Sequence, residues 1–313
     1  MPPFTLDRSS LAGGEGSIAL VTGGAGFIGS RLCALLGLSG WEVHSASRRA
    51  DGPKGATRHW PVDLTDAGAT RRLVEEIRPD HVFHLASHVT GAQGVEQVLP
   101  AFNANLLTTV NLLAALADVG CRRVVVTGSL VEPDRTAPER PPSSPYAAAK
   151  WASSDYVRMF HALYALPGAI ARVFMVYGPA QQDRTKLVPY TIESLLRGEP
   201  PAISTGTRLI DWVYVDDVAF GLARMGVTPG IDGFTVDLGS GTLISTADFV
   251  ERICSLFGSG LTPVVGAIAD RALEPERVAD VAETTRALGW APSTTLDDGL
   301  ARTIEWHRAQ RSA

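Results

Sequence analysis

The alternation of apolar and polar positions opens at residues 17 to 30, where the run Ile18-Ala19-Leu20-Val21 breaks into glycines and resumes with helical spacing through Arg31-Leu32-Cys33-Ala34-Leu35-Leu36. That order predicts a strand, a tight turn and a helix. Apolar runs of strand length recur at 41–47, 58–62, 81–87, 122–129 and, after a long interval, 234–241. Between them lie helix-period stretches. One covers 67–77 and stops at Arg78-Pro79; another covers 103–119, with Leu106, Leu107, Val110, Leu113, Ala114 and Ala117 on one side. A third follows the proline-rich loop Pro141-Pro142-Ser143-Ser144-Pro145 and runs to about Ala165. Strands alternating with helices over roughly the first 130 residues predict an α/β fold, a doubly wound parallel sheet. Later, Pro179, Pro189, Gly198-Glu199-Pro200-Pro201 and Pro229-Gly230 cut the chain into shorter pieces without an internal repeat.

Composition narrows the class. The 313 residues are 45% hydrophobic and 19% charged, enough for a large core in an ordinary globular protein. A net charge of −5 gives no electrostatic case for nucleic acid or an anionic membrane as partner. Cys33, Cys121 and Cys254 are far apart and no His/Cys cluster has metal spacing, so reduced core thiols, no metal and a cytoplasmic location are expected. No signal peptide or membrane span is expected either. Residues 1–16, with Pro2-Pro3 and Gly13-Gly14, read as a flexible tail.

The chemistry starts in the first turn. Gly23, Gly26 and Gly29 fall three apart, which suits a positive-φ turn, close approach to a pyrophosphate and tight helix–strand packing. The N–H groups at that helix start, around Phe27 and Ile28, would hold a phosphate. At the end of the second strand Ser47-Arg48-Arg49 stand where a carboxylate would select NAD, which favours the 2′-phosphate of NADP. Asp63-Leu64 would close over the adenine, and Leu85-Ala86-Ser87 would let the cofactor pass the fourth strand end. His84 reads as a packed strand histidine and His88 as a substrate contact. Tyr146 and Lys150 are i and i+4 on one helical face, one loop after Ser129 at a strand's carboxyl end.

Together these segments resemble the extended short-chain dehydrogenase/reductase family, in its nucleotide-sugar epimerase, dehydratase and reductase branch. The resemblance covers about residues 17–308. It is carried by Thr22-Gly23-Gly24-Ala25-Gly26-Phe27-Ile28-Gly29, Asp63-Leu64, His84-Leu85-Ala86-Ser87, Asn105, Ser129, Tyr146 with Lys150, Arg172 to Pro179, Asp211 to Val218, and Leu288-Gly289-Trp290. It implies a Rossmann dinucleotide-binding domain at 17–178, with a return strand and helix at about 231–257. A smaller C-terminal substrate-binding domain would be formed by 179–230 and 258–313. It also implies Asn105 and Val173 beside the cofactor, and Met175, Leu187, Arg208 and Arg271 beside a nucleoside-diphosphate sugar. Ser129, chosen over Thr127, would hold the substrate oxygen against Tyr146, the acid or base, whose pKa the Lys150 ammonium and the oxidised nicotinamide would lower. The stretch around Ser129 is one residue shorter than the family's Ser-Ser-x-x-Val-Tyr-Gly pattern, which leaves both hydroxyls open. Lys150 would also bond the nicotinamide ribose. A homodimer through a four-helix bundle is the family outcome, expected here from the helices at 103–119 and after Pro145. Their extra apolar positions include Leu107, Leu112, Leu116, Trp151, Val157, Met159 and Phe160.

Departures from the pattern bear on the reaction. Leu130-Val131 replace the Asp-Glu pair of the 4,6-dehydratases, leaving a lone Glu132, and Met175 replaces an Asn. Arg208 precedes Asp211 by three residues where relatives place an arginine directly before the Asp. The reading is NADPH-dependent reduction of a nucleoside-diphosphate 4-keto-6-deoxyhexose. The alternatives are a 4-epimerase with retained NAD and a non-catalytic redox sensor.

Overall fold

The structure, a computed structural model, describes residues 11, 13–133, 140–269 and 273–311. Chain order is β1 (Ile18–Thr22), α1 (Phe27–Leu38), β2 (Glu42–Ser47), β3 (Arg58–Pro61), α2 (Ala67–Ile77) and β4 (His81–His84). A 3-10 turn at Val95–Gln97 then runs into α3 (Val98–Ala101), a π-helical segment Phe102–Leu107 and α4 (Thr108–Val119). β5 (Arg123–Ser129), α5 (Pro145–Tyr164), β6 (Gly168–Val173), β7 (Met175–Tyr177), α6 (Leu187–Leu196), β8 (Leu209–Tyr214) and α7 (Val215–Val227) follow. The chain ends with β9 (Thr235–Leu238), β10 (Leu243–Ser245), α8 (Thr246–Phe257), α9 (Val281–Leu288) and α10 (Leu296–Arg311).

Seven strands form one sheet in the order β3-β2-β1-β4-β5-β6-β9, every pair parallel. The order reverses between β1 and β4, and ligands of open α/β sheets bind at the carboxyl ends beside such a switch. β1, β4 and β5 are almost wholly buried because helices cover both faces, which is why their sequences read as continuous apolar runs. One face carries α1 and α7, tied by the buried bidentate ion pair of Arg31 with Asp216. The other carries α2, α4 and α5, with Leu73, Val74, Leu112, Leu116, Val157 and Phe160 packed on Val82, Val124 and Ile170. A second sheet, β10-β8-β7, has its own core of Trp212, Phe249, Ile192, Ile253 and Leu300.

Several expectations shift in detail. The fourth strand stops at His84, since Leu85 to Ser87 turn away from the sheet. The helix of 103–119 starts at Val95, and by length and composition this run could cross a membrane; here it packs against α2 and α5. Leu112, Leu116, Val157 and Phe160 face the sheet and are buried, so they form no outer face. Of the segment read as a tail, residues 1–10 and 12 lie outside the described residues, while Leu11 is buried in the core and Gly14 packs against Trp41.

Candidate active site

The turn between β1 and α1 is built on backbone contact. Gly23 has φ +68°, and a Cβ on it would stand 2.7 Å from the Ala86 nitrogen; one on Gly29 would overlap the Gly23 carbonyl. Gly26 caps α1 without a side-chain acceptor, and the helix's first turn holds no acidic residue. The N–H groups of that turn therefore fit a phosphate. At the end of β2, Arg48 and Arg49 are exposed and no acidic side chain stands at position 47. Arg49 Nη1 reaches the Ala25 carbonyl at 3.5 Å, and its backbone N–H donates to Ser47 Oγ at 3.2 Å. His59 on β3, which sequence reasoning passed over, stands beside this corner: Nδ1 is 3.0 Å from Ser45 Oγ and Nε2 is 2.9 Å from the Arg49 carbonyl. Its local sequence does not mark it; the pairing of β3 with β2 sets it opposite Ser45. Asp63 accepts from the Thr65 amide and hydroxyl, which lower its pKa, with Arg48 adding to the effect. Leu64 is buried, its carbonyl taken by Asn111 Nδ2 at 2.9 Å.

Deeper in, a chain of polar groups crosses the strand ends. His84 is 2.7 Å from Thr22 Oγ1 and 3.1 Å from Thr109 Oγ1, and burial pushes its pKa down to about 3, with Lys150 contributing, so the ring is neutral. Asn105 lies in the π-helical segment, where the wider turn aims it at the loop after β4. Its Oδ1 accepts from Ser87 Oγ at 2.6 Å and the His88 N–H at 3.0 Å, so Asn105 holds that loop.

Ser129 ends β5, and the Tyr146 hydroxyl hydrogen-bonds both Ser129 and Ser87. Tyr146 follows Pro145 in the first turn of α5, whose N-cap Ser144 accepts from the Ala147 N–H. Lys150, one turn on, is buried, and its Nζ donates to the Thr127 carbonyl at 2.8 Å. The expected lowering of the Tyr146 pKa by Lys150 does not occur within the protein alone. Burial is the largest influence and raises the phenol to about 12, Ser129 and Ser87 oppose it, and Glu132 raises it further. Burial also draws Lys150 down to about 8, against the pull of Glu132.

The substrate-side residues are dispersed. Val173 is buried and its carbonyl accepts from the Leu130 N–H at 3.1 Å; Met175 begins β7 and packs between the cores of the two sheets. Leu187 begins α6, half-buried. The His88 ring is 3.2 Å from Gln97 Oε1. Arg208 pairs with Glu274, a partner that its own surroundings in sequence do not reveal. Arg271 lies outside the described residues. Two contacts across the mouth went unforeseen: Gln182 Nε2 donates to the Ala25 carbonyl at 3.2 Å and Lys186 Nζ to that of Val89 at 3.1 Å.

Comparison with known proteins agrees with this architecture. A model of the NAD dependent epimerase/dehydratase family matches residues 19–230. A UDP-glucose 4-epimerase of Mycolicibacterium smegmatis is 33% identical over 92% of this chain and 98% of its own length. A dTDP-glucose 4,6-dehydratase of Neisseria gonorrhoeae is 31% identical over 92% of this chain and 94% of its own. The crystal structure of the UDP-glucose 4-epimerase of Thermus thermophilus in complex with NAD superposes with a TM-score of 0.79, 30% identical, covering 93% of this chain and 99% of that one.

Proposed function

Because the chain belongs to the NAD dependent epimerase/dehydratase family of enzymes, we propose that it is a nucleotide-sugar oxidoreductase that works at C4 of a nucleoside-diphosphate hexose, reducing a 4-keto-6-deoxy sugar with NADPH. The bound nicotinamide supplies a hydride. The protein's part is the proton and the geometry: Tyr146 would give or take the proton of the sugar oxygen, Ser129 would hold that oxygen, and buried Lys150 would bond the nicotinamide ribose while keeping positive charge near the phenol. The open α1 N-terminus takes the pyrophosphate, and Arg208 stands on the diphosphate side.

The observation that carries the choice of reaction is the β2 end, where Arg48 and Arg49 are exposed, Arg49 reaches the Ala25 carbonyl and no acidic side chain stands at position 47. Two arginines fit a 2′-phosphate, and one charge-assisted contact there is worth about 1.5–3 kcal/mol. NADPH should therefore bind at least tenfold tighter than NADH in a fluorescence titration, and Arg48→Ala should weaken NADPH alone. Equal losses for both cofactors would return the assignment to NAD. A 4-epimerase with retained NAD is the second reading, favoured by the NAD complex of the Thermus thermophilus enzyme; purified protein carrying NAD would decide for it. Dehydration fits poorly, because Leu130 and Val131 cannot replace a carboxylate pair. A cytoplasmic homodimer completes the proposal, with the two-domain division lying at about residue 178.

A further inference from the structure

Glu132 lies three residues beyond Ser129 and is only 3% exposed. Its Oε1 accepts from the Ser129 backbone N–H at 2.7 Å and its Oε2 from the Ser154 hydroxyl of α5 at 2.9 Å. Both contacts suit an ionised carboxylate, which can only accept. Burial pushes the Glu132 pKa up, and these two donors, with Arg172 and Lys150, oppose that rise. Position 128 must be glycine for the side chain to fit, since a Cβ there would overlap Oε1. From the C-terminal segment, Arg277 Nη1 donates to the Glu132 carbonyl at 3.2 Å, so the loop is held on both sides. The charged and titratable groups around the carboxylate are Lys150 and Tyr146 of α5, Arg172 of β6, which pairs with Asp237 of β9, and Arg277.

We propose that Glu132 is a positioning residue of the reaction: its bond to the Ser129 amide fixes where the Ser129 hydroxyl meets Tyr146, and its buried carboxylate sets the charge balance around Tyr146 and Lys150. This rests on the reading of Ser129, Tyr146 and Lys150 given above. Burial draws the lysine toward its neutral form, and Glu132 is the group that opposes this. The same charge disfavours the Tyr146 phenolate. Removing it moves both groups to lower pH together.

The chain has three lysines, Lys54, Lys150 and Lys186, so lysine labelled with 13C at the ε carbon gives three NMR signals, with Lys150 assigned by its loss in Lys150→Met. Glu132→Gln keeps an acceptor for Ser129 and a polar partner for Ser154 but no charge. In it the Lys150 titration should fall by roughly one unit, and the pH–rate profile should slide to lower pH with its maximum kept within about tenfold. Glu132→Asp keeps the charge one methylene short of Ser129; Lys150 should titrate near its wild-type midpoint while kcat drops roughly tenfold at unchanged KM. An unmoved Lys150 signal in the Gln variant, or full kcat in the Asp variant, overturns the proposal. If the Gln variant does not fold, the Asp variant decides. The lysine signal needs no substrate, so failure to turn over any nucleotide sugar counts against the proposed function and leaves Glu132 to be judged by the titration.

Discussion

Tyr146 has two hydrogen-bond partners, Ser129 and Ser87, and a phenol that the protein by itself holds near 12. Lys150 Nζ donates to the Thr127 carbonyl, so in the proposed reaction the positive charge of an oxidised nicotinamide would add to that of Lys150 in bringing the phenol toward neutral pH. Phe at 146 keeps the ring and deletes the proton, so turnover should fall by about 10² to 10⁴ while NADPH binding, read by fluorescence, stays within a few-fold. A variant that keeps full turnover would remove Tyr146 from the proton transfer, and a wild type that binds dinucleotide but turns over no nucleotide sugar would move the protein to the sensor reading. Lys150→Met should abolish turnover and yet not destabilise. Lys150 has its pKa depressed to about 8 in the fold against roughly 10.4 unfolded. The folded state thus binds fewer protons between those values, and stability is lost as pH falls through them. At pH 7 the full cost is present, so the Met variant should melt at or above wild type, with the difference shrinking as pH rises past 8. A variant melting well below wild type at pH 7 would contradict this.

Elements matter here mainly for what their ends present. The β1–α1 unit works because backbone meets backbone: Gly29 lets α1 sit on the Gly23 carbonyl. Gly29→Ala would place a methyl against a main-chain oxygen that cannot swing aside, at a cost of about 1–3 kcal/mol. The shift would fall on the N–H groups proposed to hold the pyrophosphate. Dinucleotide affinity measured by titration should drop at least tenfold, and an unchanged affinity would show that the phosphate sits elsewhere. The π-helical segment Phe102–Leu107 plays a similar part, since a regular α-helix would turn Asn105 away from Ser87 and His88.

Across the whole molecule, α3, the π-helical segment and α5 pack side by side and leave Val95, Val98, Leu99, Phe102, Tyr156, Leu163 and Tyr164 exposed. These residues, and not the buried Leu112, Leu116, Val157 and Phe160 singled out from sequence, are the surface for the dimer proposed above. Light scattering at micromolar concentration should give twice the chain mass, and Leu99→Glu should give the monomer with its fold intact by circular dichroism. A monomeric wild type would remove the proposal.

The residues by themselves determined whatever depends on near neighbours in the chain. Glycine spacing with positive φ, the i and i+4 placement of Tyr146 and Lys150, the proline stop after Ile77 and the alternation of strands with helices are local geometry. They specified the parallel sheet and its cofactor edge before any contact was known. The tertiary structure decided what depends on distant partners. Ser154 and Arg277 enclose Glu132 from 22 and 145 residues away, Glu274 claims Arg208, and the sheet takes Leu112, Leu116, Val157 and Phe160, which sequence had assigned to a second subunit. Charge state belongs to this second group. A pKa answers to burial and to the charges that folding gathers around the group, so the same Tyr-x-x-x-Lys spacing is compatible with a lowered phenol or, as here, a raised one.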